Sequence, residues 1–204
     1  TLPDGSVRSF DAPVTGAEVA ADIGPGLAKA AIAVRINGAL SDLSLPIAED
    51  SEVALVTKKD QEALALIRHD CAHIMAEAVL ELYPETQVTI GPAIENGFYY
   101  DFFREEHFTP DDLEKIEKRM HEIVDRDEAI TREVWDRDEA ALHYKQVHEP
   151  FKVERVETIP SGGALSFYRP GEFRALPRGP HSPSTKSHRT ASNPHEVPAA
   201  TGSR

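Results

Sequence analysis

The chain has 204 residues, and its 35 acidic residues outnumber its 22 Lys and Arg, which gives a formal net charge of -13. This charge argues against a general nucleic-acid binder, because neutralising phosphates normally requires clustered Lys and Arg. The sequence has no long apolar run and no secretory signal, so we expect no membrane span. A single cysteine excludes an internal disulfide framework and fits a reducing, cytoplasmic location.

Turn and cap signals divide the first 60 residues into short elements. Asp4-Gly5 and Asn37-Gly38 predict hairpin turns, and Thr15 with Glu18 has the spacing of a helix capping box. Gly24-Pro25-Gly26 is expected to stop the helix that follows the box. Strands are expected over two apolar runs, residues 31–36 and 51–57. Together these elements predict a small β-grasp-like unit, for which the residues leave open a spacer or a docking role.

Residues 61–83 carry apolar side chains at three- and four-residue steps, which predicts a helix with one buried stripe. His69 and His73 are four residues apart and therefore share a face of that helix, whereas Cys71 lies on another face. Such a pair permits a metal site, an acid–base site or no site. The zinc-protease pattern needs Glu directly after the first His. Asp70 occupies that place, so a protease of that class is not expected.

The next segments alternate strands and helices. Residues 88–94 and 98–102 predict paired strands around Asn96-Gly97, with Tyr99 and Tyr100 on opposite faces. Thr109 is expected to cap a helix over 109–127, and a shorter helix fits 136–147. Residues 151–156 predict a strand with Lys152 on its polar side. From residue 186 onward there is almost no large apolar residue, so residues 186–204 are expected to be disordered.

Five segments of the sequence form a distinctive set, in this order: Leu2-Pro3-Asp4-Gly5-Ser6, Arg68-His69 through His73, Gly91 through Phe102, Arg132-Glu133-Val134-Trp135, and Arg178-Gly179-Pro180-His181. In sequence and order they resemble the N-terminal half of bacterial threonyl-tRNA synthetases, from the first residue to about Thr185. The resemblance implies an α+β fold: a β-grasp TGS domain over 1–60, a two-layer editing domain over 61–185, and the tail over 186–204.

In that family the editing domain hydrolyses mischarged seryl-tRNA(Thr). A second site is useful because a binding pocket discriminates against an analogue differing by one methylene by only about 10- to 200-fold. Carried over position by position, the resemblance implies a site made of His69, His73, Tyr100, Lys152 and His181. The first two histidines would orient substrate and water, Lys152 would serve as base or stabilising cation, and His181 would close the site. No cofactor is expected, because the family's ATP and zinc belong to a catalytic domain with no counterpart here.

Two positions depart from the family pattern. The family's cysteine, four residues before the last histidine, falls on Pro177, and its acidic residue falls on Ala175. Proline offers no side-chain donor or ligand, so the sequence leaves open whether the chain is an enzyme.

Three hypotheses follow from the sequence. The first is an editing hydrolase fragment of a threonine–tRNA ligase that lacks the aminoacylation core. The second is a catalytically inactive remnant that binds the tRNA(Thr) acceptor end. The third is a metal hydrolase using His69, His73 and His181. In each case we expect a monomer with no membrane or DNA partner.

Overall fold

A computed structural model describes residues 1–89, 91–147, 150–160, 164–170 and 179–188. Its helices are α1 (Gly16–Ile23), α2 (Pro25–Ala30), α3 (Ala63–Leu82), α4 (Pro110–Asp125), α5 (Arg137–Gln146) and α6 (Pro150–Glu157). Its strands are β1 (Val14–Thr15), β2 (Ala31–Ile36), β3 (Ala39–Ser41), β4 (Pro46–Ile47), β5 (Val53–Thr57), β6 (Gln87–Val88), β7 (Ala93–Ile94), β8 (Gly97–Phe98), β9 (Phe102–Phe103), β10 (Ile130–Asp136) and β11 (Ala164–Pro170). The predicted α+β class is confirmed. None of the helices within the described ranges is long and apolar enough to cross a membrane.

The N-terminal unit, residues 1–60, is built on the antiparallel sheet β3-β2-β5. Helix α1 packs on this sheet, and its start at Gly16 lies so close that an added Cβ would come within 2.8 Å of the Val34 side chain. The Thr15–Glu18 capping box is confirmed, since each residue bonds the other's backbone N–H. The predicted strands and the Asn37-Gly38 turn between β2 and β3 are also confirmed.

Two details of this unit differ from the sequence prediction. The Asp4-Gly5 turn forms, with the Gly5 N–H donating to the Leu2 carbonyl at 2.9 Å, but its flanks are not strands. The N-terminus instead lies beside β5, where the Thr1 carbonyl accepts from the Val53 N–H at 2.9 Å, and β1 pairs with β4. Gly24 ends α1 as expected, yet Pro25 starts α2 at once, because proline suits a first helical turn.

Helix α3 forms where the apolar periodicity places it, but the expectation of a single buried stripe is wrong. Every residue from Asp70 to Val79 is buried, so this half of the helix is enclosed on all sides. Helix α4 covers one side with a buried stripe against Ile74 and Val79, formed by Ile116, Met120, Ile123 and Val124. Its predicted cap at Thr109 is confirmed, with Asp112 completing a capping box.

The segment between α3 and α4 is a hairpin, as predicted. Strand β7 pairs with β8, and β6 pairs with β9. The turn falls at Glu95-Asn96, one residue before the predicted position. Alternate side chains of the returning strand pack on the α3–α4 core, namely Phe98, Tyr100 and Phe102. The two-residue period of an extended chain therefore turns Tyr100, and not Tyr99, toward α3.

The last part of the fold pairs β10 with β11 antiparallel and packs α5 and α6 beside them. Helix α5 buries Ala140, Ala141 and Tyr144, as the sequence predicts. The predicted strand over 151–156 is wrong, since these residues lie in α6. Val153 and Val156 are three residues apart and both join the α5 cluster, which is helical spacing.

The predicted tail boundary at Lys186 is also wrong. Residues Thr185–His188 form a 3-10 helix. Thr185 and His188 are fully buried there, and Thr185 bonds both the backbone N–H of Glu128 and the carbonyl of Ile123. These polar contacts, rather than large apolar side chains, hold the segment. The remainder of the predicted tail lies outside the described residues.

Glu77 is a buried carboxylic acid on α3, 3% exposed. Burial, together with the charges of Glu128 and Glu81, raises its pKa to about 8, although Arg126 opposes this. The unfolded carboxyl titrates near 4.5. Between these values the folded state holds a proton that the unfolded state has lost, so stability must fall as pH rises from about 4.5 to 8.

We expect Glu77→Gln to remove this pH dependence, because the amide does not ionise. The free energy of unfolding of the unmodified chain should decrease by on the order of 1 kcal/mol per pH unit between pH 6.5 and 8 relative to the variant. Urea unfolding at several pH values measures this. The exposed Glu114 of α4 supplies the control, Glu114→Gln, and equal slopes for Glu77→Gln and the unmodified chain would contradict the assignment.

Candidate functional site

Three histidines from distant parts of the chain meet at one point. His69 and His73 extend from one face of α3, and His181 arrives from the segment that precedes the 3-10 helix. One ring nitrogen from each lies within 4.8 Å of the others. The Nε2 atoms of His69 and His73 are 3.3 Å apart, and the His181 ring centroid is 5.0 and 5.1 Å from theirs. We call these residues the histidine cluster.

Asp70 anchors His181 in the cluster. This carboxylate is 1% exposed. Its Oδ1 contacts the Nδ1 of His181. Its Oδ2 lies 3.1 Å from the Nε2 of His188 and accepts a hydrogen bond from the Ser182 N–H at 3.0 Å. Burial opposes ionisation, but the bonds from His181 and His188 outweigh it and hold the Asp70 pKa well below its usual range. In the sequence, Asp70 argues only against a zinc protease, and no pattern marks His188.

The two α3 histidines are uncharged near neutral pH. Burial, with the charge of His181 as a second cause, lowers the pKa of His69 to about 4. Burial likewise lowers the pKa of His73 well below 6.5, and the neighbouring histidines and Lys152 add to the effect. Neutral imidazoles have one donor and one acceptor nitrogen each, so the short contact between the Nε2 atoms is an N–H···N pair.

Tyr100 lies beside the cluster, with its ring centroid 6.0 Å from that of His73. Its ring stacks on Phe102 at 5.2 Å and passes directly over Gly91. A Cβ at position 91 would come within 2.0 Å of the Tyr100 ring, so only glycine leaves room for it. This explains the need for glycine at one position of the segment from Gly91 through Phe102.

Lys152 lies on α6 rather than on the predicted strand. It is half-buried, with its Nζ 5.4 Å from the centroid of the Tyr144 ring. Its positive charge acts on His73, where it is one of the causes of the lowered pKa. The structure therefore brings Lys152 within electrostatic range of the cluster.

Asp42 of the N-terminal unit closes the back of the site. Its Oδ1 accepts from the His181 N–H at 2.7 Å, and its Oδ2 accepts from the Tyr168 hydroxyl at 2.5 Å. The Tyr168 and His181 ring centroids are 4.3 Å apart. No local pattern marked Asp42 or Tyr168, because the two hydrogen bonds of Asp42 join residues more than a hundred positions apart along the chain.

Cys71 takes no part in the cluster. It is buried on another face of α3, and burial raises the pKa of its thiol to about 12, so it is not a thiolate nucleophile near neutral pH. Ala175 and Pro177, the two departures found in the sequence, lie outside the described residues.

The described residues offer one group of side chains with metal-ligand geometry, the histidine cluster itself. Zinc bonds imidazole nitrogen at about 2.0–2.1 Å in a tetrahedral arrangement, which places two such ligands about 3.3 Å apart. The His69–His73 separation of 3.3 Å meets this requirement. The contact of Asp70 with His181 Nδ1 is also the arrangement that orients histidine ligands in metal sites.

Comparison with known proteins shows which sequences the chain is similar to. Residues 1–57 match the family model described as TGS domain. Over 185 residues the chain is 60% identical to the threonine–tRNA ligase of Rhodospirillum rubrum, an alignment that covers 91% of this chain and 29% of that enzyme. The threonine–tRNA ligases of Paramagnetospirillum magneticum and Thiobacillus denitrificans are 62% and 63% identical over 186 residues, with the same coverage.

The chain thus carries a TGS domain at its N-terminus. Over 91% of its length it is similar to threonine–tRNA ligases, and it spans about 29% of the length of the relatives it matches. The resemblance found in the sequence is confirmed. The comparisons do not assign roles to the residues of the histidine cluster, so those roles stay predictions.

The lowered pKa of His69 predicts an acid-sensitive fold. Between pH 6.5 and about 4, His69 is protonated in the unfolded state but not in the folded state. The free energy of unfolding therefore decreases as pH falls through this range. We expect His69→Gln to reduce the loss of unfolding free energy between pH 7 and 4.5 by about 2 kcal/mol. Urea unfolding measures it, with His107→Gln at an exposed site as control. A variant as acid-sensitive as the unmodified chain would refute the prediction.

Proposed function

We propose that the chain hydrolyses the ester that joins serine to mischarged tRNA(Thr), the editing reaction of a threonine–tRNA ligase. The observation that carries this proposal is the histidine cluster, in which three imidazoles from two distant segments approach within 4.8 Å. The names of the relatives, threonine–tRNA ligase, support tRNA(Thr) as the nucleic-acid partner. Uncharged imidazoles each offer one donor and one acceptor nitrogen, which suits them to hold a water molecule and the seryl group.

His181 is the best candidate for the general base. Its Nδ1 contacts the ionised Asp70 and therefore donates to it, and in its neutral form the ring would accept a proton at Nε2. That Nε2 is buried and has no hydrogen-bond partner among the described residues. It would take a proton from water as the water oxygen bonds the seryl carbonyl carbon. The proton then passes to the ribose oxygen as the bond between that oxygen and the carbonyl carbon breaks.

The other site residues would serve the same step without changing charge. His69 and His73 present donor and acceptor nitrogens that orient the water and the seryl group. Lys152, whose charge already acts on His73, would stabilise the oxyanion of the tetrahedral intermediate. Tyr100 would close the pocket with its ring against His73. In this proposal the chemistry needs no cofactor.

The partner would be the acceptor end of tRNA(Thr), bound by a monomer in the cytoplasm. The net charge of -13 disfavours a broad RNA-binding surface, so contacts with phosphates would be local. This fits a site that takes only the terminal nucleotide and its amino acid.

The test is release of serine from seryl-tRNA(Thr) by the purified chain. We expect release above the buffer blank, and His181→Gln should lower the rate by about 10²- to 10⁴-fold, as for loss of a general base. His73→Ala should also abolish most activity, whereas His107→Gln, at an exposed site, should not. No serine above the blank would end the proposal.

The same assay addresses the two departures from the family pattern. We expect the double variant Pro177→Cys with Ala175→Asp to release serine faster than the unmodified chain, because it restores polar groups. Equal rates would show that both positions are dispensable. Binding of tRNA(Thr) without serine release, by either protein, would favour the alternative of an inactive tRNA-binding remnant.

A second candidate, a zinc-dependent hydrolase, is favoured by one specific observation. The 3.3 Å separation of the His69 and His73 Nε2 atoms matches that of two zinc ligands. His181 Nε2 would supply the third ligand, leaving an open position as catalytic zinc sites have. A bound zinc would supply Lewis-acid activation of water, and the protein's part would be to hold the three rings in place.

A chelator separates the two candidates. For the metal-independent reaction that we propose, dialysis against EDTA should leave the rate of serine release within about twofold, since the base is an imidazole. A zinc enzyme would lose activity and regain it on addition of one equivalent of Zn²⁺. Stoichiometric zinc in the purified chain, lost in His69→Gln, would decide for the second candidate independently of turnover.

A further inference from the structure

His181 reaches the cluster on a segment with little structure of its own. Residues 179–184 form neither a helix nor a named strand. Downstream the segment is fixed to the start of β10, where the Ile130 N–H donates to the Pro183 carbonyl and the Thr185 N–H donates to the Glu128 carbonyl, both at 3.0 Å. These bonds lie beyond His181 and leave its own backbone to be held by other contacts.

Asp42 makes that contact from the other end of the molecule. It is 8% exposed, and its Oδ1 accepts from the His181 N–H at 2.7 Å. Its Oδ2 accepts from the hydroxyl of Tyr168, whose ring lies against the His181 ring at 4.3 Å. A single carboxylate therefore fixes the backbone of His181 and the tyrosine that packs on its ring.

The N-terminal unit holds Asp42 rigidly. Asp42 follows β3 directly, and its carbonyl accepts from the Leu45 N–H at 3.1 Å. The next residue, Leu43, is buried in the core of the unit, and its carbonyl accepts from the Ala17 N–H of α1 at 3.0 Å. Asp42 is thus held between the end of β3 on one side and these two backbone bonds on the other.

We propose that Asp42 is a positioning residue for the histidine cluster, and that the N-terminal unit is in this way a structural part of the site. The inference rests on the function proposed above for its effect on rate. The structural part of the proposal does not depend on that function. Without the Asp42 carboxylate, His181 loses its position opposite His69 and His73. A carboxylate that only stabilised the fold would leave the ring environment of His181 unchanged in folded variants.

Two readouts on the full chain test this proposal. The first is the ring ¹H–¹⁵N spectrum of histidine-labelled protein, in which the His181 signals are assigned by their loss in His181→Gln. The second is the kcat and KM of serine release. The variants are Asp42→Ala and Asp42→Asn, with Asp50→Ala, at an exposed position of the same unit, as the matched control.

For Asp42→Ala we expect shifted or broadened His181 ring signals, a decrease of kcat of at least about tenfold, and a KM within about twofold, since a misplaced base slows chemistry more than binding. Asp42→Asn should keep most of the His181 ring signals and most of kcat. Its amide oxygen accepts from the His181 N–H, and its amide nitrogen can donate to the Tyr168 oxygen. Asp50→Ala should match the unmodified chain in spectrum and kinetics.

Unchanged His181 signals in a folded Asp42→Ala variant would overturn the proposal. If Asp42→Ala does not fold, Tyr168→Phe tests the proposal instead, because it removes one of the two hydrogen bonds to the Asp42 carboxylate. The proposal stands only if this variant shifts the His181 ring signals. If the unmodified chain releases no serine, the proposed function fails, whereas the ring spectra still decide whether Asp42 positions His181.

Discussion

The buried charge of Asp70 is the constraint on which the site depends. An ionised carboxylate that is 1% exposed is tolerated only where hydrogen bonds replace its lost hydration. Asp70 obtains them from His181, His188 and the Ser182 N–H, all of which belong to one short segment near residue 185. The requirement to satisfy this charge therefore draws that segment onto α3, and it brings His181 to the residues that flank Asp70 on the helix.

The enclosure of α3 follows from the parts packed around it. The N-terminal unit covers its first turns, where Ala63 and Leu66 join Ile32 and Val56. Helix α4 covers the middle and end, and Arg119 of α4 and Arg126, the residue after α4, bond the carboxylate of Glu81 at the end of α3 at 2.5 to 2.8 Å. Because α3 is enclosed, its polar side chains are removed from water, and each needs a hydrogen-bond or charge partner within the protein. Asp70, His73 and Glu77 are all buried on this helix; the pKa values of Asp70 and His73 are lowered, and that of Glu77 is raised.

Local features of the fold could be predicted from the sequence, because their causes are local. The Thr15 and Thr109 caps each depend on a side chain three residues away, and the α3 and α4 periodicities are contained within their own windows. The strand predicted at 151–156 failed because Phe151 and Val153 alternate like a strand, whereas the burial of Val156 follows the helical step from Val153. The single stripe predicted for α3 failed because periodicity describes one helix and does not count the neighbours that cover it.

In the candidate site, too, only the features with local causes could be predicted from the sequence. The facing of His69 and His73 follows from helical spacing alone, whereas the placement of His181 needed a family resemblance. Asp42, Tyr168 and His188 could not be found by either route, since each acts through partners distant in sequence. Contacts with buried carboxylates determine the hydrogen-bonding role of a ring nitrogen as well as the position of the ring. Because Asp70 is ionised and contacts Nδ1, His181 must donate from Nδ1. In the His69–His73 contact one Nε2 donates and the other accepts. Two buried carboxylates thus determine the cluster: Asp42 sets where the third ring stands, and Asp70 sets Nδ1 as the nitrogen that donates to it.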